Sequence, residues 1–332
     1  MKLGSLKSGR DGQLIVVSRD LSRCVAVPHL AQTLQQALDN WSATSPQLLE
    51  VATALEATAL GHTLAGQTVQ ALDLQQLASP LPRAFEFLDG SAYLPHVERV
   101  RRARGADMPP SFYTDPLMYQ GTAASFYGPT DPILCRDAAW GIDLEAEVVV
   151  VCTDLPQGAS PDQCLQAVAL VGLVNDVSLR NLIPAELAKG FGFLQSKPRS
   201  ALSPVLCTPD ELTPFWQGGR LHRAMRTWIN GQWFGHAEAG EDMQFHFGEL
   251  LAHAAKTRPL MTGTILGSGT VANQDTSRGA SCLAEQRTVE TLTLGAPKTP
   301  FLQFGDVVKI DMWDDAGQSL FGAIEQRVEQ AP

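Results

Sequence analysis

The chain has 332 residues, 44% of them hydrophobic and 18% charged, and a formal net charge of −10. That length suits one large domain with a smaller accessory or two of similar size, and the negative balance argues against a nucleic-acid partner, which needs a basic face to neutralise phosphates. No window approaches the roughly 18 uninterrupted apolar residues of a membrane span, and the opening Met1-Lys-Leu-Gly-Ser-Leu-Lys7 lacks the apolar region of a signal peptide, so a cytoplasmic location away from membranes is expected.

In chain order, Leu14–Ser18 and Cys24–Val27 read as short strands separated by turn residues. A helical stretch follows from Leu30 to Leu60, predicted to break in two with Ser45 as N-cap and Pro46 at the first position of the second piece. Pro80 and Pro82 mark a linker, which divides the chain into a small N-terminal domain, 1–80, and a larger domain, 81–332. Beyond it come short strands, Gly and Pro turns and few long helices, without the strand–helix ladder of a doubly wound sheet. Trp228-Ile-Asn-Gly-Gln-Trp233 is a two-residue hairpin, since Asn230-Gly231 suits a type I′ turn. The six cysteines (Cys24, Cys135, Cys152, Cys164, Cys207, Cys282) lack metal-ligand spacing and read as reduced, buried small hydrophobes.

Three carboxylates stand where a core would carry none. Glu145 and Glu147 lie in Ile142-Asp-Leu-Glu-Ala-Glu-Val-Val-Val-Val-Cys152, and Asp176 closes Ala167-Val-Ala-Leu-Val-Gly-Leu-Val-Asn-Asp176. Residues two apart on a strand share a face, and neither run holds a Lys or Arg to pair with them. All-oxygen ligation points to a hard divalent cation such as Mg²⁺, Mn²⁺ or Ca²⁺. The alternative is a strand with a solvated face bearing Asp143, Glu145 and Glu147. The Arg99, Arg101, Arg102, Arg104 cluster reads as a solvated helix face or as a seat for an anion. Gly263-Thr-Ile-Leu-Gly-Ser-Gly-Thr270 is neither a dinucleotide fingerprint nor a P-loop; its amides and hydroxyls could cradle a carboxylate, or it is a strand-turn connection.

Asp89 with His96, Tyr119 in Asp115-Pro-Leu-Met-Tyr-Gln-Gly121, Glu145-x-Glu147, Asn175-Asp-Val-Ser-Leu-Arg180, Phe193-Leu-Gln-Ser-Lys197 and Gly267-Ser-Gly-Thr270 follow in an order and spacing that resembles the fumarylacetoacetate hydrolase family over about residues 80–330. The resemblance implies an α+β, β-rich fold, a mixed β-sandwich or pseudo-barrel roll behind a small N-terminal α+β domain, usually as a homodimer. It implies a divalent metal, Mg²⁺ foremost with Mn²⁺ or Ca²⁺ as alternatives, held by Asp89, Glu145, Glu147 and Asp176. His96 would be the general base, oriented by Glu285 in Ser281-Cys-Leu-Ala-Glu-Gln286 rather than by Glu98, which faces away on a helix. Lys197 would stabilise developing negative charge, Tyr119, Arg180 and Thr270 would hold the substrate's carboxylates, and Arg102 or Arg104 would meet a distal one. Where the family often has Trp-Ser-Ala-Arg-Asp this chain has Val177-Ser-Leu-Arg-Asn181, and Ile183 stands where a glutamine is expected. The implied activity is metal-dependent hydrolysis of a C–C bond in a fumarylacetoacetate-like diketo acid. A decarboxylase, hydratase or isomerase of 2-oxo acids, or a non-catalytic metal-stiffened binding protein, are the alternatives.

Overall fold

In the computed structural model the two apolar runs become neighbouring antiparallel strands, Ala146–Cys152 and Val168–Asn175, with Ala146 opposite Asn175 and Val150 opposite Val171. The structure describes residues 1–103, 105 and 107–332. Both strands are buried on both faces, which is why, apart from Glu147 and Asn175, they are continuously apolar rather than alternating. Val148, Val150 and Cys152 pack in one core with Met225, Ile310 and Ile324 of a second sheet. Val149, Val151 and Leu170 pack in the other with Leu34, Leu38, Leu48 and Leu55 of the N-terminal helices. The layers are therefore helices, main sheet and second sheet.

The main sheet runs Gln70–Ala71, Arg23–Ala26, Gln13–Val17, Lys2–Leu6, Leu206–Cys207, Val168–Asn175, Ala146–Cys152, Thr264–Gly267, Phe87–Gly90, Met118–Gln120. The second sheet runs Gln232–Glu238, Ala224–Ile229, Val307–Met312, Ile324–Gln330, Ile133–Cys135. The β-rich α+β sandwich matches expectation, but neither sheet closes on itself, so the pseudo-barrel alternative falls away: each path ends in a strand with one neighbour. The first 80 residues add strands to the main sheet through Lys2–Leu6, which pairs with Leu206–Cys207.

The helical stretch is indeed broken in two, at Asn40 rather than at Ser45. Its parts are Leu34–Asp39, capped by the Thr33 side chain, and Trp41–Ala57, which carries Pro46 inside its second turn. Burial of Leu48, Val51, Ala52 and Leu55 along one continuous face outweighs the single backbone bond that proline removes. The hairpin is as predicted: Ile229 pairs with Gln232, and Asn230 and Gly231 take φ of 52° and 74°, the pair of positive values a type I′ turn requires. All six cysteines are free and buried. Among the described residues no helix is long and apolar enough to cross a membrane.

Candidate active site

Strand register gathers the acids at one end of the main sheet. Phe87–Gly90 runs parallel to Thr264–Gly267 with Asp89 beside Gly267, Tyr119 faces Asp89 from the other side, and Val149, two residues beyond Glu147, sits opposite Gly267. Glycine at 267 makes the cluster possible. A Cβ there would lie 2.4 Å from Asp89 Oδ1 and 2.8 Å from Glu147 Oε2, closer than real Cβ contacts come. Asp89, Glu147 and Asp176 each offer an oxygen within 4.8 Å of the others, and all three are buried.

Their partners differ. Asp89 Oδ1 accepts from the Gly269 amide at 3.0 Å, so the glycine-rich turn does cradle a carboxylate, the protein's own. Asp176 accepts from Ser200 Oγ at 2.7 Å, Lys197 Nζ at 2.6 Å and the Tyr119 hydroxyl. Both Glu147 oxygens are buried without any hydrogen-bond partner. Burial, with the charges of Asp89 and Asp176, pushes Glu147 well above the usual carboxylate range, and burial with the Asp176 charge raises Asp89 to about 7. An unpartnered carboxylate in the interior costs several kcal/mol unless a cation meets it. A hard divalent ion answers both the missing partner and the mutual repulsion, so the residues present fit such an ion.

Glu145 has a different environment. It precedes the Ala146–Cys152 strand, and its two oxygens accept from Arg180 Nη2 and Lys197 Nζ, each at 2.5 Å. The cations absent from its own run arrive from other segments, and Glu145 is not among the three acids whose oxygens converge. Burial would raise its pKa, but Arg180 and then Lys197 hold it well below the ordinary range. Arg180 also donates through Nε to Asp143 at 2.8 Å. Asp143 in turn accepts from the Leu283 and Ala284 amides at 2.7 and 2.9 Å, at the N-terminus of helix Leu283–Leu294. The solvated-face alternative is excluded, because Asp143, Glu145 and Glu147 are all buried. Burial alone would lower Lys197; Asp176 and Glu145 reverse this and raise it, so Lys197 is a fixed ammonium.

His96 lies on helix Leu94–Ala103 with Nδ1 3.3 Å from Glu285 Oε2. Glu285 is buried and is gripped on its other oxygen by Arg99 Nη1 at 2.5 Å. Arg99 also donates to the carbonyls of Asn273 and Gln274. Arg99 is thus neither solvated nor free for a ligand, and its role could not be read from a basic run. An Nδ1–H facing Glu285 leaves Nε2 as the basic nitrogen. His96 and Arg180 both line a cavity of about 600 Å³. Tyr119 is packed edge-on against Phe193 and lies under Lys197. Burial, then Asp176, raises its pKa, so it is a neutral phenol donating to Asp176. Thr270 is buried beside Gly269. Arg102 is exposed, and Arg104 lies outside the described residues.

Comparison with known proteins bears on the family and the fold. Residues 87–329 match the family description "Fumarylacetoacetate (FAA) hydrolase C-terminal", and residues 1–83 match "Fumarylacetoacetase N-terminal domain 2". A 2,4-didehydro-3-deoxy-L-rhamnonate hydrolase from Sphingomonas sp. (strain SKA58) is 28% identical over 162 residues, 47% of this chain and 53% of that protein, so the chain spans about half the length of the curated relative it matches. Similar solved structures include maleylpyruvate hydrolase from Sphingobium sp. SYK-6 in complex with manganese(II) ion and pyruvate, at 15% identity and TM-score 0.66 over 100% of each chain. Fumarylacetoacetate hydrolase from psychrophilic Exiguobacterium antarcticum is also 15% identical, with TM-score 0.67 over 100% of each chain. At such identities the likeness to solved structures shows the fold, while the family match runs through most of the sequence: the chain belongs to the fumarylacetoacetate hydrolase family.

Proposed function

We propose that this protein is a divalent-metal-dependent hydrolase that cleaves a C–C bond in a 2,4-diketo acid. The observation that carries the reading is Glu147, buried and unpartnered in a cluster with Asp89 and Asp176, in a chain that also pairs Glu285 with a His96 lining a cavity. Asp89, Glu147 and Asp176 would hold the ion, with Mg²⁺ first and Mn²⁺ or Ca²⁺ as alternatives, and Glu145 would contribute only lone pairs left over from Arg180 and Lys197. When bound, such an ion polarises a carbonyl and orients a chelating 2-oxo acid.

The chain's own residues supply the rest. Glu285, fixed by Arg99, holds the His96 ring so that Nε2 takes a proton from water, which adds to the distal carbonyl carbon. Collapse of that adduct breaks the C–C bond, leaving an acid and a pyruvate-type enolate, which then takes up a proton. Lys197, a permanent ammonium, is suited to offset the negative charge of that enolate. Arg180, Tyr119 and Thr270 are proposed to seat the substrate's carboxylate; Arg180 and Tyr119 also anchor the acids around it.

The test is an ultraviolet assay of acylpyruvates with Mn²⁺ or Mg²⁺, following loss of diketone absorbance, with products identified. Two acids from one diketo acid support the proposal; release of carbon dioxide instead would replace it with a decarboxylase. His96→Ala should lower turnover by at least about a hundredfold while ion binding is retained. Near-normal turnover would remove His96 from the reaction. The protein is further proposed to act as a cytoplasmic homodimer, which sedimentation and fractionation would check.

A further inference from the structure

The cavity that reaches His96 and Arg180 has a wall that is mostly apolar, with Ser91, Asn181, Thr288 and Thr291 as its uncharged polar members. Val97 and Val100 come from the His96 helix, Leu117 from the segment before Tyr119, Ile183 from the short helix after Arg180, and Phe112 and Phe301 from flanking turns. No acidic side chain faces it among the described residues. Its two outer cations are already engaged. Arg101 gives Nε to the Asp107 carbonyl at 2.7 Å and lies 5.2 Å from the Phe112 ring centre, while Arg287 donates to the Thr299 carbonyl and lies 4.3 Å over the Phe301 ring. Stacking of this kind holds each guanidinium against an aromatic face. The cavity meets the candidate site through His96 and Arg180, and its volume of about 600 Å³ leaves room for an acyl chain beside the His96 ring.

Resting on the hydrolase reading above, we infer that the acyl half of the substrate is an uncharged hydrocarbon chain, and that Val97, Val100 and Ile183 select it. A second carboxylate or a polyhydroxylated chain laid against Val97, Val100 and Ile183 would give up its water to side chains that return no hydrogen bonds. Each methylene added within the cavity is instead removed from water, which is worth about a fourfold gain in kcat/KM.

The experiment uses the full-length, Mn²⁺-loaded protein and a series of acylpyruvates: acetyl, butanoyl, hexanoyl, and a succinyl member that carries a terminal carboxylate at a length near that of the butanoyl one. The expected result is kcat/KM rising by about fourfold per methylene over the first carbons, and at least about a tenfold preference for butanoyl over succinyl. Val100→Asn and Ile183→Gln should each flatten the rise through KM for hexanoyl rather than through kcat. A preference for the succinyl compound, or no dependence on chain length, overturns the inference while leaving the hydrolase reading intact. Should no member be cleaved, the reaction reading fails and the cavity is judged by binding. Thermal shift with the stable acids 2-oxooctanoate and 2-oxoglutarate must then favour the alkyl acid, and equal, reversed or absent shifts overturn the inference as well.

Discussion

Arg180→Ala should destabilise the fold by about 3–5 kcal/mol, the cost of leaving buried charge without its partner. The guanidinium is 15% exposed and bridges Asp143, fully buried, to Glu145. The loss is not twice that of one pair, because Glu145 keeps Lys197 and Asp143 keeps the two amides at the start of helix Leu283–Leu294. Burial already raises Asp143 against the pull of Arg180, so without the arginine it should fold protonated. Protonating an acid of ordinary pKa near 3.8 costs more at high pH, so the deficit should be largest near pH 8 and shrink as pH falls toward 4. Urea unfolding at pH 5, 6.5 and 8 measures this directly. Arg180→Lys, which can reach one acid but not span both, should lose roughly half as much. A deficit below about 1 kcal/mol, or one that does not vary with pH, would show that Arg180 does not neutralise these carboxylates.

Glu147→Gln should leave the protein folded, with a melting temperature in chelator no lower than wild type, and abolish Mn²⁺ binding in titration calorimetry; retained binding would move the ion elsewhere. Glu186 accepts from the amides of Leu194, Gln195 and Ser196 and from Ser196 Oγ, and although burial acts to raise it, the Ser196 hydroxyl and these amides bring it to about 2. Its contribution should be full above about pH 4.5 and fade as pH falls through 2, so the stability gap between wild type and Glu186→Gln should close on acidification, and a constant gap would show that ionisation is not what matters. Gly231→Ala meets no neighbour but must hold a φ of 74°, and should cost about 1 kcal/mol in urea unfolding with activity unchanged.

What could be read in advance follows a physical divide. Motifs local in the chain were legible: the Asn230-Gly231 turn depends on two residues, and the apolar runs around Glu147 and before Asp176 declare strands whatever their neighbours. The nearness of His96 to Glu285 came from the resemblance, since 189 positions separate them and no periodicity joins them. Long-range partners were not legible. Arg99 looked like one of several arginines on a basic helix, and only the approach of Glu285, Asn273 and Gln274 makes it different. Asp143 shares an alternating pattern with Glu145 and Glu147, so its capping of a helix about 140 residues away leaves no local trace. Gly267 read as part of a carboxylate cradle or a strand-turn connection, yet its place follows from strand register, which puts it between two acids. The Pro46 helix shows the reverse error, a local signal overruled by the burial of its neighbours.

The junction at Lys2–Leu6 bears on whether the larger part of the chain can stand alone. That strand covers Leu206–Cys207, and the helices behind it roof Val149, Val151 and Leu170. A chain cut back to its residues after 83 would present a bare strand edge bordering an unroofed apolar face. Such a combination invites other copies to add strands to it. The larger part of the chain, although none of the clustered acids lies before Asp89, is therefore expected to self-associate and precipitate without the N-terminal segment.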